Sequence, residues 1–400
     1  MLFDALVLQL GYNATLVAIG AGLLGIATGA VGSFLFLRKR ALLSDAISHA
    51  TLPGLGLAFI AMVALGGDGR SLPGLLLGSA LSAGAGLLAV HWITSRTRLT
   101  EDAAIGAVLS VFFGAGIVLL TVIQTMQGGR QAGLEGFLLG ATAGMLLSDA
   151  ITIAVGGALV LGLVLLLRRP MTLAAFDPAY AAAAGMNLRA TDLASMGLVL
   201  AVTIIGLKVV GLILIVALLI IPPVAARFWT ERVEAMAVLA GVFGGLSGYA
   251  GAAISAAAPG LPTGPIIVLV AVALFAASLL VAPRRGLLAA LLAHLRYRRR
   301  VHLRQGLLAL AQGLPIYERY TLRLMTRAGL ARADGVATEA GRAEAARVLR
   351  DEARWAIARQ DQGHEAAAAL YDGLRPIATV LTADEIAAID ARLAPHPVAG

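Results

Sequence analysis

Asp45 and His49 are the residues of this chain whose types and spacing best fit chemistry inside a membrane. They lie in the segment 45–54, Asp-Ala-Ile-Ser-His-Ala-Thr-Leu-Pro-Gly, within a run that is otherwise apolar. In a helix, side chains four residues apart share one face, where a carboxylate and an imidazole can share a cation or a proton. Ionisable groups are costly in a bilayer, so the pair indicates a path for a charged substrate.

A second reading of Asp45 stays open at this point. The residue follows Arg40 by only five positions. It can therefore cap the start of its helix, or form an ion pair with that arginine close to the membrane surface.

Composition places the chain among polytopic membrane proteins. Hydrophobic residues make up 59% of it and charged residues 14%, whereas soluble domains carry about a quarter charged residues. It has no cysteine, which excludes disulfides and thiolate metal sites. Neither of its two lysines, Lys39 and Lys208, lies in the Gly-Lys-Ser/Thr pattern of a nucleotide-binding loop. We therefore expect a transporter subunit rather than an enzyme, with any ATP hydrolysis in a partner chain.

Apolar runs long enough to cross a bilayer fill most of the first 285 residues. A crossing needs about 20 residues. The run 192–226 is too long for one helix and short for two, so the pattern predicts an all-α bundle of eight or nine spans. The runs are 14–37, 43–65, 72–94, 104–126, 149–167, 192–226, 235–256 and 264–282.

Basic clusters at the ends of these runs predict the orientation of the bundle. The clusters are Arg38-Lys39-Arg40, Arg96 with Arg98, Arg168-Arg169, Arg227 with Arg232, and Arg284-Arg285. The positive-inside rule assigns them to the cytosol. The N-terminus is then outside and the C-terminus inside, which requires an odd number of crossings. Asp45 and His49 fall in the cytosolic half of their span, where they can act as an inner gate.

Other parts of the membrane region carry weaker signals. Residues 136–147 are expected to form a re-entrant or interfacial piece, flanked by Glu135 and Asp149, which can line an outer vestibule. Residues 1–10 are predicted to form an amphipathic segment on the membrane surface. Small residues at helical spacing, such as Gly25 with Gly29 and Gly244 with Gly248, predict close helix packing.

The stretch 176–187 predicts one short helix between two spans on the cytosolic side. Asp177 and Pro178 open it, and Gly185 closes it. A short rigid helix in this position can transmit force from a partner protein. An ordinary interhelical loop is the alternative.

Four ordered motifs give the chain a family resemblance over roughly residues 10–285. It resembles the membrane-subunit family of ATP-binding-cassette importers for manganese, zinc and ferrous iron. The motifs are the segment 45–54, the segment 176–185, Lys208-Val-Val-Gly211 with Ile221-Pro222-Pro223-Val-Ala-Ala-Arg227, and Leu261-Pro262-Thr263-Gly264-Pro265.

The resemblance implies a homodimeric permease in the bacterial plasma membrane. It also implies two cytosolic ATPase subunits and an extracytoplasmic binding protein that delivers the metal. Asp45 and His49 match the positions expected on the ion route. The segment expected to dock on the ATPase is matched by Asp177, Pro178, Tyr180, Ala184, Gly185 and Asn187. A secondary transporter coupled to protons is the alternative, since it can also use an Asp and His pair.

The composition changes after residue 286, which predicts two domains, a permease at 1–286 and a cytosolic domain at 287–400. Helices are expected at 303–312, 316–328, from the cap Thr338 to about 357, and from the cap Thr382 at 383–393. Residues 329–346 resemble the wing and following helix of winged-helix metal-dependent repressors. The part that would hold the DNA-recognition helix is too short, so a regulatory or protein-contact role is favoured over DNA binding. Nucleic acid is not an expected partner.

Two further possibilities concern this second domain. A membrane-tethered transcription regulator remains an alternative for the chain as a whole. A sensed metal ion has candidate ligands in His302, Asp361, His364 and Glu365.

Overall fold

The computed structural model describes residues 11–125 apart from 68 and 70, and residues 145–257, 261–361 and 364–393. The expected surface segment 1–10, Glu135 and nearly all of the expected re-entrant piece therefore lie outside the described residues. The chain divides into two compact units, Met1–Leu288 and Ala289–Gly400, where the sequence predicts a boundary after residue 286.

Apolar helices build the first unit. Among the described residues, nine segments are long and apolar enough to cross a membrane, which agrees with the upper of the two expected counts. The helices are α1 (Tyr12–Leu37), α2 (Ala41–Ala64), α3 (Leu72–Arg96), α4 (Glu101–Thr125), α5 (Leu147–Phe176), the short α6 (Pro178–Ala183), α7 (Leu188–Arg227), α8 (Val233–Ala257) and α9 (Thr263–Val281).

Helix α7 supplies two of the nine segments, Leu188–Leu207 and Val210–Arg227. Gly211 has φ 75° and ψ 172°, a backbone region that is open essentially only to glycine. A Cβ atom added at Gly206 would lie 2.4 Å from Cδ1 of Ile215, although nine residues of straight helix span about 13.5 Å. The chain therefore changes direction sharply near Gly211, and this explains the ambiguous length of the run 192–226.

Helix α1 lies at the centre of the bundle, packed against α5, α7 and α8. Its contact with α8 is backbone on backbone. A Cβ atom at Gly29 would lie 2.1 Å from the carbonyl oxygen of Ala240, and one at Gly248 would lie 2.2 Å from that of Ala21. The expected close packing through small residues is confirmed.

Ion pairs join the basic ends of the spans to nearby acidic residues. They are Arg40 with Glu101 at 2.5 Å, Arg168 with Glu234 at 3.3 Å, and Arg285 with Glu231 at 2.9 Å. Each pair joins residues at span ends that the sequence assigns to the same side of the membrane.

Helix α5 is longer than its apolar pattern. The apolar run expected for this span is 149–167, and the helix continues beyond it through Arg168, Arg169 and Pro170 to Phe176. The amide of Asp177 still donates to the carbonyl oxygen of Leu173 at 2.9 Å. Proline removes only one backbone hydrogen bond, so the last turns persist beyond the point where hydropathy falls.

The second unit is helical in the part that the structure describes. Its elements are α10 (Leu287–Ala311), α11 (Arg319–Arg327), α12 (Glu339–Ala358), α13 (Glu365–Ala368), a 3-10 turn (Ile377–Thr379) and α14 (Ala383–Arg392). Both predicted caps are confirmed, since Thr338 accepts from the amide of Gly341 at 3.1 Å and Thr382 forms a capping box with Glu385. Helix α10 begins 16 residues before the expected position 303.

An antiparallel bridge between Ala331 and Ala337 takes the place where a wing is expected. The amide of Arg332 donates to the carbonyl oxygen of Val336 at 2.8 Å, which closes a tight reversal ahead of α12. The described residues contain this single bridge and no strand.

Candidate functional site

Asp45 and His49 lie on one face of α2, as their spacing predicts. The distance from Nε2 of His49 to Oδ1 of Asp45 is 3.3 Å. The Asp45 side chain is 38% exposed and that of His49 is 28% exposed, so both are accessible on the surface of the single chain. Because α2 begins at Ala41, the pair occupies its first three turns, near the basic end of the span.

The alternative role for Asp45 as a helix cap or a partner of Arg40 does not fit this geometry. Asp45 is the fifth residue of α2, past the turn in which a capping side chain acts. The ion pairs of Arg40 are with Glu101 and Asp192. The carboxylate of Asp45 instead faces His49.

Two polar atoms beside the pair are buried with no hydrogen-bond partner among the described residues. They are Nδ1 of His49 and Oγ of Ser48. The ring of His49 is held edge-on against Phe113 of α4, with ring centroids 4.9 Å apart. Leaving a buried polar atom unpaired costs about 1–3 kcal/mol, so such atoms commonly mark a position that takes a ligand or water.

The pair offers two ligands, which is fewer than a bound divalent ion takes. Within the described ranges, no three His, Asp or Glu side chains are grouped so that they could hold a metal ion. Zinc takes four ligands, and a metal site with only two protein ligands is incomplete. A complete shell at Asp45 and His49 therefore needs ligands other than the His, Asp and Glu side chains of the described residues of one chain.

A charge cluster that sequence analysis missed lies beside the start of α2. Asp192, in the first turns of α7, accepts hydrogen bonds from both Arg38 and Arg40. Arg40 also pairs through Nε with Glu101 at the start of α4. The signal was present, because Asp192 is the lone acidic residue between Asp177 and Glu231, but its partners lie over 150 positions away.

The predicted short helix is present as α6, and its ends are fixed by local hydrogen bonds. Asp177 accepts from the amide of Tyr180 at 2.9 Å. Gly185 has φ 80°, and the amides of Gly185 and Met186 donate to the carbonyl oxygens of Ala182 and Ala181, each at 3.0 Å. This paired arrangement is a Schellman motif.

The chain leaves α6 through a second cap, and α6 is exposed apart from Ala181. Asn187 accepts from the amide of Ala190 at 3.1 Å and so begins α7. Ala181 is buried against the membrane unit, while Tyr180 is 61% exposed and Ala184 is exposed as well. The helix is therefore a rigid element with a free aromatic side chain.

Comparison with known proteins decides the family. The model of the ABC 3 transport family matches residues 12–282. The chain belongs to the ABC 3 transport family. Manganese transport system membrane protein MntC of Bacillus subtilis is 42% identical to this ABC 3 chain over 320 residues, which is 80% of this chain and 71% of the relative. Zinc transport system membrane protein TroC of Treponema pallidum is 39% identical over 277 residues, 69% of this chain and 91% of the relative.

A solved structure has a similar fold. PsaBC from Streptococcus pneumoniae in complex with Fab aligns with a TM-score of 0.60 and 30% identity, covering 71% of this ABC 3 chain and 96% of the matched one. The Bacillus relative aligns over 320 residues, more than the 288 residues of the first unit. Its similarity therefore reaches into the second unit.

Asp149 of the ABC 3 chain does not fit the vestibule-lining role that its position suggests. It is 6% exposed, and its carboxylate accepts from the amide of Leu146 at 3.0 Å. A buried carboxylate in this position stabilises the N-terminus of α5. Asp149 is therefore a capping residue.

The four candidate ligands for a sensed metal do not form one group, although His364 and Asp361 lie close together. His302 lies 2.9 Å from Glu318, whereas His364 lies 3.6 Å from Asp361 and 4.0 Å from Glu385. Asp361 is also paired with Arg392 at 2.6 Å. His302 and His364 therefore lie in separate contacts, and no metal-holding group of three forms among the described residues.

Proposed function

We propose that this chain is the membrane permease subunit of an ATP-driven importer of divalent transition-metal ions, namely manganese, zinc or ferrous iron, in a bacterial plasma membrane. The observation that carries the proposal is the Asp45 and His49 pair in a span of an ABC 3 chain, with Nδ1 of His49 left unpartnered. Relatives are described by their names as manganese, zinc and probable iron transport proteins.

The ligand chemistry of the pair suits transport. Carboxylate oxygen and neutral imidazole nitrogen bind borderline divalent ions without the very tight hold of thiolates, so a bound ion can be released. Two copies of the chain, with each pair turned towards a shared axis, would supply four ligands and complete the shell. This is the support for a homodimer. The position near the basic end of α2 favours an inner gate.

Helix α6 is the proposed docking element for a separate cytosolic ATPase. Its ends are fixed by Asp177 with Pro178 and by Gly185, and Asn187 ties it to the start of α7. Residues 177–185 are all exposed apart from Ala181, so Tyr180 and Ala184 are among the residues available to a groove on the ATPase. An extracytoplasmic binding protein would deliver the ion from the opposite side.

The second unit is proposed to be a cytosolic regulatory or protein-contact domain that resembles part of a winged helix. The reversal at Arg332 to Val336 and the Thr338-capped α12 support that resemblance. The C-terminal position after an odd number of spans supports the cytosolic location.

The experiment is manganese uptake into liposomes that hold the complete complex of permease, ATPase and binding protein. We expect uptake that requires ATP hydrolysis. Tyr180→Ala should weaken retention of the ATPase and lower uptake, while Tyr12→Ala, which removes an exposed aromatic at the other end of the bundle, should change neither. Uptake driven by a proton gradient without the ATPase would replace this proposal with a secondary transporter.

A further inference from the structure

The first half of α10 carries a row of exposed leucines. Leu287, Leu288, Leu291, Leu292 and Leu295 are each between 47% and 54% exposed. At 100° per residue they fall within an arc of about 140°, so they form one apolar face on the helix. Residues 291–300 are exposed on every side of the helix, and no other described residue of the second unit covers Leu291, Leu292 and Leu295.

These leucines are not needed to cross the bilayer. Helix α9 has 19 residues, a length of about 28 Å, which is already close to the thickness of the hydrocarbon core. The chain then passes through Pro283, Arg284 and Arg285 before α10 begins at Leu287. Arginines in this position mark the headgroup level, so the leucines follow a completed span by a few residues.

The same segment is strongly basic. Between residues 284 and 317 the sequence contains seven arginines and no acidic residue. Arg296, Arg299 and Arg300 form no ion pair with any described residue, and Arg298 lies 5.1 Å from the ring centroid of Tyr320. Within residues 287–300 the leucines come first and the arginines follow, so the two groups are separated along the helix axis. Arginine has a long side chain that can reach lipid headgroups from beside an apolar surface, so this composition fits a helix that lies on an anionic membrane.

We propose that residues 287–300 form an amphipathic helix bound to the headgroup region of the bilayer that α9 crosses. The leucines enter the boundary with the acyl chains, and Arg296, Arg299 and Arg300 contact anionic phospholipid headgroups. A second copy of the chain is the alternative partner for the leucine face. It is disfavoured because the same row of arginines on two facing helices would repel.

The absence of cysteine makes the test direct, because single cysteines accept one spin label each. Leu291→Cys places a label on the leucine face, and Ala293→Cys places one on the opposite face of the same helix. The full-length chain is reconstituted into nanodiscs of phosphatidylcholine, or of equal parts phosphatidylcholine and phosphatidylglycerol. Collisions with oxygen, which partitions into lipid, are compared with collisions with a water-soluble nickel complex.

We expect the label at 291 to favour oxygen and the label at 293 to favour the nickel complex. The difference between the two labels in their oxygen-to-nickel collision ratio should be larger with phosphatidylglycerol and smaller at high salt. Equal access of the nickel complex to both labels in both lipids would overturn the proposal. Spin coupling between copies at 291 that is independent of lipid charge would overturn it too, in favour of a second copy.

The arginines are tested separately in the chain labelled at 291. Replacing Arg296, Arg299 and Arg300 with glutamine should abolish the increase in oxygen collisions at residue 291 that phosphatidylglycerol causes. Replacement with lysine should retain this increase, because lysine keeps the charge. A glutamine variant that still responds to phosphatidylglycerol would contradict the role given to these arginines.

Discussion

Gly25 of α1 and Gly244 of α8 pack backbone against backbone. A Cβ atom added at either glycine would lie 2.1 Å from the carbonyl oxygen of the other. Lipid tails are as apolar as leucine, so helix association in a membrane depends on such close packing rather than on a hydrophobic driving force between helices. This contact is therefore a main determinant of the stability of the first unit.

Gly25→Ala should destabilise the bundle, because the added methyl group has no room and the helices must separate. Overpacking of this kind costs about 1–3 kcal/mol. Gly114→Ala on α4 is the matched control, since a Cβ atom there meets nothing within 4 Å. The measurement is the midpoint of thermal unfolding in detergent. Equal midpoints for the two variants would contradict the packing argument.

Asp192 connects the start of α7, just beyond α6, to the turn that precedes α2. Its carboxylate accepts from Arg38 and Arg40, and α2 carries Asp45 and His49 a few residues later. Asp192→Asn removes the charge that holds both arginines. We expect the variant complex to hydrolyse ATP at close to the normal rate while importing less metal for each ATP consumed.

The ratio of metal imported to ATP hydrolysed separates this positioning role from a general loss of folding, which would lower both quantities together. Asp192→Glu keeps the charge and should recover part of the ratio. Asp102→Asn removes an exposed carboxylate at the same end of the bundle and should leave the ratio unchanged. A normal ratio in Asp192→Asn would show that the cluster has no part in coupling.

The ion pair between Arg354 and Asp390 should make the second unit sensitive to acid. Nε of Arg354 lies 2.6 Å from Oδ1 of Asp390, and this hydrogen bond is the main cause that lowers the pKa of Asp390 below its usual range. A carboxylate with a depressed pKa stabilises the folded state above its unfolded pKa, and the contribution is lost as the pH falls through the folded pKa. The Arg354 side chain is 21% exposed and that of Asp390 is 40% exposed, so solvent still screens the pair and its contribution is about 1 kcal/mol or less.

Asp390→Asn should therefore lower the free energy of unfolding of this unit at neutral pH. The further decrease in that free energy on going to acid pH should be smaller than in the unsubstituted protein. Trp355 is fully buried in this unit and reports unfolding by fluorescence once Trp92 and Trp229 are replaced by phenylalanine. Asp384→Asn, in the first turn of α14 and away from Asp390 near its C-terminal end, is the control. An unchanged acid transition in Asp390→Asn would contradict the assignment.

Local patterns in the sequence predict much of this structure. Hydropathy located the spans, and the side chains of Asp177, Thr338 and Thr382 marked helix starts because a cap forms between neighbours in the chain. The partners of Asp192 could not be predicted in this way. They depend on which helices lie side by side, which no local spacing encodes.

Two elements differ from their patterns for a physical reason. Lys208 and Gly211 lie in the middle of the run 192–226, but hydropathy does not distinguish one broken helix from two short crossings. The backbone angles of Gly211 reveal the change of direction. Helix α5 continues after Arg168 because Met171 and Ala174 are buried beyond the two arginines and Pro170 that end the apolar run. The spacing of Asp45 and His49 predicted their shared face, but not the unpartnered Nδ1 atom or the contact with Phe113.

The central claim is that the transported ion contacts Asp45 and His49. It is tested most directly by manganese uptake in liposomes holding the complete complex, with Asp45→Asn, His49→Gln and the control Asp102→Asn. We predict that both pair variants lose uptake by at least roughly tenfold, which corresponds to about 1.4 kcal/mol in the transport barrier, while the ATPase stays bound and the control transports normally. Uptake at the wild-type rate by both pair variants in an assembled complex would contradict the account.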